Sequence, residues 1–432
     1  MSDRIQSMLQ EATQAFRDGS FNEAELILEK MLQDDINASN IIFKLGIIYA
    51  KANRFMEASK VFYSLQHYKN DDVKIPYNLG LIYSLQGMHQ LAIEAYDLAL
   101  KIQPNDVETL INKGSTCNDI KNYALALEVL EKSIQLRSDI PEAWFNKGTA
   151  LHELHRYDEA ITHYDQALGL NPDYPEGWYN KGAALHALQR YDEAIAHYDQ
   201  ALGLKPDYAE AWSNKGVTLN ELKHYDGAIA HYEQALGLKP DIDWVFGDLL
   251  HTKMKICSWL DLSESLEIIS KKVIANEKVA NPFPLLALSD DPLLHQQCAK
   301  IYTQNRAPFN LALGPLVKRP ASQKIRIGYF SADFKNHPVS FLTAELFELH
   351  DKNKFEIIAF SFGVDDQNPM RSRLSQAFNQ FFDVYEKSDK EIAQLARELE
   401  IDIAVDLGGH TQDSRTGIFS YRAAPIQLGY IG

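Results

Sequence analysis

Over roughly the first 240 residues, apolar, aromatic and small positions recur every 34 residues. Trp144, Trp178 and Trp212 are one period apart, as are Gly148, Gly182 and Gly216, and Tyr157, Tyr191 and Tyr225. Ala160, Ala194 and Ala228 follow the same beat, with Tyr164, Tyr198 and Tyr232, and then Pro172, Pro206 and Pro240. Stepping upstream by the period lands on Gly114, Tyr123, Ala126 and Leu130, then on Gly80, Ala92, Tyr96, Ala99 and Pro104. Gly46, Phe55, Ala58 and Phe62 continue the series, and Ala12, Phe21, Ala24 and Leu28 form its weakest copy. The pattern predicts a helix pair per period, about seven pairs between roughly residues 5 and 242. Gly and Ala fall where the two helices approach closely. The aromatics fill the gap to the next pair, and Pro ends the second helix because it lacks an amide hydrogen and clashes with the preceding turn.

A 34-residue helix–turn–helix repeat of this pattern is the tetratricopeptide unit. Single units cannot bury their apolar faces, so stacking gives an α-solenoid with one continuous core. The expected superhelix has a concave surface lined by the first helix of each pair. Asn78, Asn112, Asn146, Asn180 and Asn214 each stand two residues before the repeat glycine. Two residues correspond to about 200° of helix rotation, so these side chains face away from the core. A carboxamide offers donors and an acceptor, which suits the backbone of an extended peptide. Recent duplication accounts for the asparagines of the three near-identical copies, but less well for Asn78 and Asn112, whose surroundings have drifted. The row therefore predicts peptide binding. At about 0.5–1.5 kcal/mol per bond, five bonds give capture in the micromolar range or weaker. His163, His197 and His231 repeat too, but ligands of one ion must lie about 2 Å from it. Equivalent positions on packed helices are about 8–10 Å apart. These histidines read as solvated helix surface, as do His152 and His186, although the helix of the latter two lines the groove within reach of a ligand, and no metal site is expected.

Composition narrows the class. The chain has 432 residues, 45% hydrophobic and 24% charged, with a formal net charge of −16. That length allows two or three domains. The charge argues against nucleic acid as a partner. Cys117, Cys257 and Cys298 lack metal-type spacing and suggest a reducing compartment without a disulfide framework. The N-terminus has no apolar signal core, and no apolar stretch is long enough to span a membrane. A cytoplasmic protein is expected.

After residue 242 the repeat is lost. Residues 243–322 read as a helical adapter and linker: a helix around Trp244, Phe246, Leu249 and Leu250, and another from Leu262 to Val273. A third, over Leu293–Tyr302, is opened by Asp291-Pro292, and a linker runs from Gly314 to Pro320. Cys257, His295 and Cys298 lack a fourth ligand and read as structural. From residue 323 to 432 strands and helices alternate. Strands are expected at Ile325–Phe330, Phe355–Phe362, Phe381–Tyr385, Ile401–Asp406 and Ile426–Ile431. Helices are expected at Pro338–Leu349, Pro369–Phe378 and Lys390–Glu400. The alternation predicts a parallel, doubly wound α/β sheet of Rossmann-like type, with ligands beyond the carboxyl ends of the strands. His337 follows the loop leaving the first strand, held extended by Pro338. His410 follows the fourth strand through Leu407-Gly408-Gly409. In a parallel sheet both loops emerge on one edge, so both histidines are candidates for one crevice. A lone histidine at such a turn is more often a cap or a surface residue. Gly-x-Gly-x-x-Gly and Gly-x4-Gly-Lys-Ser/Thr phosphate loops are absent from the sequence.

The combination resembles the protein O-GlcNAc transferases and their SPINDLY-type relatives. The resemblance is carried by the asparagine-bearing repeats and by Lys324-Ile-Arg-Ile-Gly-Tyr-Phe-Ser-Ala-Asp-Phe-Lys-Asn-His-Pro-Val-Ser. It continues through Asn281-Pro-Phe-Pro-Leu-Leu-Ala-Leu-Ser-Asp-Asp-Pro, Asp406-Leu-Gly-Gly-His-Thr and Arg422-Ala-Ala-Pro-Ile-Gln-Leu-Gly-Tyr-Ile-Gly. It implies an inverting, metal-independent GT-B glycosyltransferase that moves a sugar from a nucleotide sugar to Ser or Thr of acceptor proteins, UDP-GlcNAc being the donor implied. No cofactor beyond that co-substrate is implied. His337 matches the family's active-site histidine, and His410 a residue lining the same cleft. General base and substrate positioning both stay open as their roles. The family places most of its donor site in a second lobe, which this sequence lacks. The expectation is a first catalytic lobe of an incomplete GT-B enzyme, inactive alone and reliant on a separate donor-lobe polypeptide. The alternative is a non-catalytic peptide-binding scaffold whose terminal sheet is a relic.

Overall fold

The computed structural model describes residues 3–34, 39–68, 71–317, 323–411 and 413–430. They form two compact units, Met1–Ala184 and Leu185–Gly432. Seven helix pairs occupy the repeat region of the described residues. They are α1 (Asp3–Arg17) with α2 (Phe21–Asp34), α3 (Ser39–Lys51) with α4 (Phe55–Tyr68), α5 (Lys74–Leu85) with α6 (His89–Ile102), and α7 (Val107–Asp119) with α8 (Tyr123–Leu136). They continue with α9 (Pro141–Glu153) and α10 (Tyr157–Leu170), α11 (Pro175–Ala187) and α12 (Tyr191–Leu204), and α13 (Ala209–Glu221) and α14 (Tyr225–Leu238). The division between the units falls within α11.

In the first unit four of the repeat glycines do what their spacing implied. A Cβ added at Gly46, Gly80, Gly114 or Gly148 would stand 2.8, 2.5, 2.5 or 2.7 Å from the ring or branched side chain of Phe62, Tyr96, Leu130 or Tyr164. Those partners lie sixteen residues on and are fully buried. Two further devices repeat. The indole N–H of Trp144 donates to Ser138 O at 2.8 Å and that of Trp178 to Pro172 O at 2.8 Å, tying each first helix to the turn before it. Lys113, Lys147 and Lys181 pair with Asp97, Glu131 and Asp165 at 2.7, 2.6 and 2.7 Å, bridging the helices of neighbouring repeats.

The turns share one conformation. Gly19, Asn53, Gly87, Lys121 and His155 in the first unit, and Gln189, Lys223 and Cys257 in the second, all have φ between 56° and 76°. Their spacing is the repeat period. The last of them lies beyond the point where the sequence pattern fades, and α15 (Val245–Lys255) leads into it. Val245 and Leu249 share a core cluster with Tyr232 and Ala235 of the preceding pair. Thr252 Oγ1 meets Asn220 Oδ1 at 3.4 Å, repeating the separation of thirty-two residues seen between His186 and Thr218 at 2.9 Å. The helix thus continues the array's register where the sequence predicted its loss, because burial against α14 and turn geometry maintain it without the aromatic signature.

An extended strap closes this end of the array. After α16 (Leu262–Ile274), the amides of Trp244 and Gly247 donate to Lys278 O and Val279 O at 2.5 and 2.9 Å. Asn281 Nδ2 donates to Asp248 Oδ1 at 3.0 Å. A side chain at Gly247 would overlap Ala280. Asp248 holds the position that the asparagine row occupies in earlier repeats, and burial pushes its carboxyl up to about 6. Then come α17 (Pro282–Leu288), absent from the sequence reading, and α18 (Pro292–Arg306), capped by Asp291 as expected. Residues 318–320 of the expected linker lie outside the described residues.

The α/β portion runs β1 (Ile325–Ser331), α19 (Pro338–Leu349), β2 (Phe355–Ser361), α20 (Pro369–Ala377), β3 (Gln380–Asp383), α21 (Asp389–Glu398), β4 (Ile403–Asp406), α22 (Gly417–Ser420) and β5 (Ile426–Gly429). The five strands are all parallel, in the order β3-β2-β1-β4-β5. One face packs Phe347 and Leu374 against Ile357 and Ala359, and the other packs Ile392 and Ala396 against Phe330 and Phe360. Several boundaries differ from the sequence reading by one or two residues, at β3, β4 and α21 among others. β4 starts at Ile403, because Glu400 turns left-handed at φ 56° and Ile401 closes α21 by donating to Ala396 O. The short α22 was not foreseen. Ile431 lies outside the described residues.

Candidate functional site

Chain reversal in this sheet falls between β1 and β4: from β1 the strands run outward to β2 and β3 on one side and to β4 and β5 on the other. Such a switch point opens a crevice beyond the strand ends, since the two loops there diverge to opposite faces. Phe330 of β1 pairs with Asp406 of β4 at this edge. His337 and His410 sit on the two loops that leave it, so the sheet brings the sequence's two candidates to neighbouring strand ends.

The first loop is rigid. Phe362 N donates to Ser331 O at 3.1 Å, and a side chain at Gly363 would overlap the Ala332 carbonyl, so the loops after β1 and β2 are pressed together. Buried Arg371 donates to Phe334 O at 3.3 Å and Ser361 Oγ at 2.9 Å, and pairs with Asp365 at 3.1 Å and Asp383 at 2.6 Å. One guanidinium therefore ties together the strand ends of β1, β2 and β3. His337 is the N-cap of α19, and its Nδ1 accepts from Val339 N at 3.3 Å. Asp333 Oδ2 lies 3.6 Å from the same Nδ1. The imidazole is 39% exposed, and the carboxylate beside it is 13% exposed. Burial raises the Asp333 carboxyl, the positive charges of His337 and Lys335 lower it, and the negative charge of Asp413 raises it further.

The second loop is built on glycine. Gly409 takes φ 54°, and Gly408 N donates to Asp406 Oδ1 at 3.0 Å. Thr411 Oγ1 folds back to donate to Gly408 O at 2.6 Å. His410 packs edge-on against Tyr302 of α18, with ring centroids 5.4 Å apart, and its buried Nδ1 has no hydrogen-bond partner among the described residues. Burial lowers the His410 imidazole and Asp406 opposes that shift. Burial in turn raises Asp406. The charge of Asp413, further along this loop, acts on Asp333, on His186 of α11 and on Tyr191 of α12. Repeat side chains of the second unit therefore feel the same crevice. His186 is half-buried and bonded to Thr218, not the plain solvated surface that the sequence suggested. His163 likewise stacks on Trp144 at 5.5 Å.

The asparagine row is half-buried throughout. In the first unit, Asn78 donates to Lys74 O at 2.7 Å, and Asn112 donates to the Tyr77 hydroxyl at 3.1 Å. The main-chain carbonyl of Asn146, not its carboxamide, accepts from Asn118 Nδ2 at 2.9 Å. Asn180 holds the next rung, and Asn214 the equivalent place in the second unit. Sequence reasoning missed Asp333, Asp406, Asp413, Tyr302 and Arg371. One signal was available: both candidate histidines stand four residues after an aspartate.

A tetratricopeptide array followed by a parallel, doubly wound α/β lobe defines the class of protein. The comparisons with known proteins carry it further. Residues 296–432 match glycosyl transferase family 41. Tetratricopeptide families match residues 77–106 and the overlapping spans 120–175, 153–209 and 179–241. An Arabidopsis thaliana protein named probable UDP-N-acetylglucosamine–peptide N-acetylglucosaminyltransferase SEC is 31% identical over 199 residues, covering 43% of this chain and 20% of that protein. A Caenorhabditis elegans UDP-N-acetylglucosamine–peptide N-acetylglucosaminyltransferase is 35% identical over 115 residues, 26% of this chain and 10% of that one. The Hordeum vulgare protein named SPINDLY is 32% identical over 149 residues, 33% of this chain and 16% of that one. The matched parts therefore span a fifth or less of each relative. Among solved structures, a mutant Thermobaculum terrenum O-GlcNAc transferase aligns at 22% identity over 75% of this chain and 50% of that one, with a TM-score of 0.30. Tetratricopeptide models thus match within residues 77–241, and the glycosyl transferase family 41 model matches residues 296–432.

Proposed function

We propose that this chain is the acceptor-binding and base-bearing part of a protein O-glycosyltransferase, acting on Ser and Thr hydroxyls. The supporting observation is the placing of His337 and His410 on loops from adjacent strands at the switch point of a parallel sheet. The names of the relatives point to UDP-GlcNAc as donor. The acceptor oxygen attacks the anomeric carbon of the sugar, the bond from that carbon to the diphosphate oxygen breaks, and the nucleotide diphosphate leaves with the electron pair. A neutral imidazole is suited to take the hydroxyl proton. His337, more exposed, is assigned that role, and His410 is assigned to position the acceptor. Asn78, Asn112, Asn146, Asn180 and Asn214 hold the acceptor as an extended backbone. Three free cysteines, and the absence among the described residues of a helix long and apolar enough to cross a membrane, favour a cytoplasmic enzyme.

The test is calorimetry with a Ser/Thr-rich peptide. Replacing Asn112, Asn146 and Asn180 with alanine should weaken binding about tenfold or more, three bonds at roughly 0.5–1.5 kcal/mol each. An unchanged Kd would remove the peptide-groove reading. Adding peptide should also shift the ring signals of His337 and His410 in a nitrogen-15 spectrum. If both rings stay silent while peptide binds elsewhere, the crevice is not the acceptor site.

A further inference from the structure

The surroundings of His337 pose a conflict over one atom. Its Nδ1 accepts the Val339 amide hydrogen at 3.3 Å and lies 3.6 Å from Asp333 Oδ2. A single ring nitrogen cannot serve both in a neutral imidazole. As acceptor from Val339 it is unprotonated, and the ring proton then sits on Nε2. With Nε2 protonated, that edge of the ring can donate to an acceptor hydroxyl but cannot take its proton. If Nδ1 instead carries the hydrogen and gives it to Asp333, the Nε2 lone pair is free to act as base.

We propose that Asp333 is the positioning residue of the site: its carboxylate draws the His337 ring proton to Nδ1, against the competing Val339 amide, and so turns Nε2 into the base. The inference rests on the assignment of His337 as the base. Three features support it. The backbone that carries the carboxylate is held in place, because Asp333 N donates to Ser331 Oγ at 2.9 Å and its main-chain carbonyl takes the Ser340 hydroxyl and the Lys335 amide. The carboxylate is largely shielded from water, which strengthens a charge-assisted bond relative to a neutral one. The capping bond it must outcompete is long at 3.3 Å, and a shift of a few tenths of an ångström is enough to exchange the partners. Once the proton is taken from the acceptor, the same carboxylate faces an imidazolium and stabilises it.

Other charges bear on the pair. Lys335 lies on the same loop, and Asp413 on the loop after β4 acts on Asp333. Asp366, on the loop after β2, holds the Asn336 amide at 3.1 Å beside the ring. Asp413 makes Asp333 a stronger proton acceptor, so the β4 loop contributes to the bias from across the switch point.

The experiment is a long-range proton–nitrogen spectrum of the full chain labelled at histidine, recorded at pH 8.5, with His337→Gln to assign the ring. Wild type should show His337 with a pyrrole-type Nδ1 and a pyridine-type Nε2. In Asp333→Asn the pattern should invert, with Nδ1 accepting from Val339, while His410 stays unchanged as the internal control. Asp333→Glu should restore the wild-type pattern at least in part, which a merely structural loss would not. The same His337 pattern in wild type and Asp333→Asn would overturn the proposal, as would a wild-type ring already protonated at Nε2. If Asp333→Asn disturbs the fold, seen as loss of the other histidine signals, the wild-type pattern alone still decides. The readout requires no sugar transfer. A ring that follows Asp333 but ignores acceptor peptide refutes the functional assignment and leaves the tautomer control intact.

Discussion

Asp248 is the residue whose burial has the plainest measurable consequence. Its carboxyl is pushed up to about 6 in the folded chain, against about 3.9 when unfolded. The folded state therefore holds the proton more tightly. The resulting stability is fully present below about pH 4 and is lost as pH rises from about 4 to 6, by at most roughly 3 kcal/mol. Asp248→Asn keeps an oxygen for Asn281 and removes the charge. The variant should unfold at a higher temperature than wild type at pH 8, and the gap should close at pH 4. A gap of equal size at both pH values would show that the buried charge is not the cause. Gly148 makes a simpler case. A methyl there meets the Tyr164 ring at 2.7 Å, so Gly148→Ala should cost about 1–3 kcal/mol in denaturant unfolding, despite alanine's better helix propensity.

At the scale of the element, the turn between paired helices asks for a left-handed residue at each step. Lys121, His155, Gln189 and Lys223 supply it without being glycine. Left-handed backbone costs a residue with a Cβ roughly 1–2 kcal/mol, offset in part by the greater chain entropy of unfolded glycine. His155→Gly or Gln189→Gly should therefore raise stability by up to about 1 kcal/mol, as read from a denaturation midpoint. This turn was legible only in hindsight, because its residues share a conformation and no chemical type. The seven helix pairs and the parallel sheet were legible, because glycine, alanine and aromatic positions encode close packing and strand–helix alternation encodes a parallel sheet. The helix α15 was expected, but its place in the array and the left-handed turn at Cys257 were not: burial continues the array there without the aromatic marks. The two histidines could be found from the loops that carry them. Their partners Tyr302 and Asp413 come from other elements, and sequence spacing holds no trace of such meetings. Asp333 and Asp406 were within reach through the shared spacing to histidine.

For the whole chain, a net charge of −16 sets a bias on any acceptor. Carboxylates at Asp333, Asp365, Asp366 and Asp413 stand on the loops around the proposed crevice. A Ser/Thr peptide bearing lysine or arginine should bind more tightly than an acidic counterpart at low ionic strength. The preference should largely vanish near 0.5 M salt, where screening acts over only about 3–4 Å. Equal affinities at low salt would show that the recognition is made by backbone alone, as the asparagine row implies on its own.

The strap over α15 decides where the array can grow. Lys278, Val279 and Asn281 are bonded to the start of one particular helix, and Gly247 has no side chain because Ala280 crosses there. A copy inserted directly before that helix would break its seam with Tyr232 unless the newcomer reproduced it, whereas copies added upstream leave the fastening untouched. Duplication upstream thus leaves unchanged both this fastening and the stretch of chain from it to the sheet, however many modules precede it.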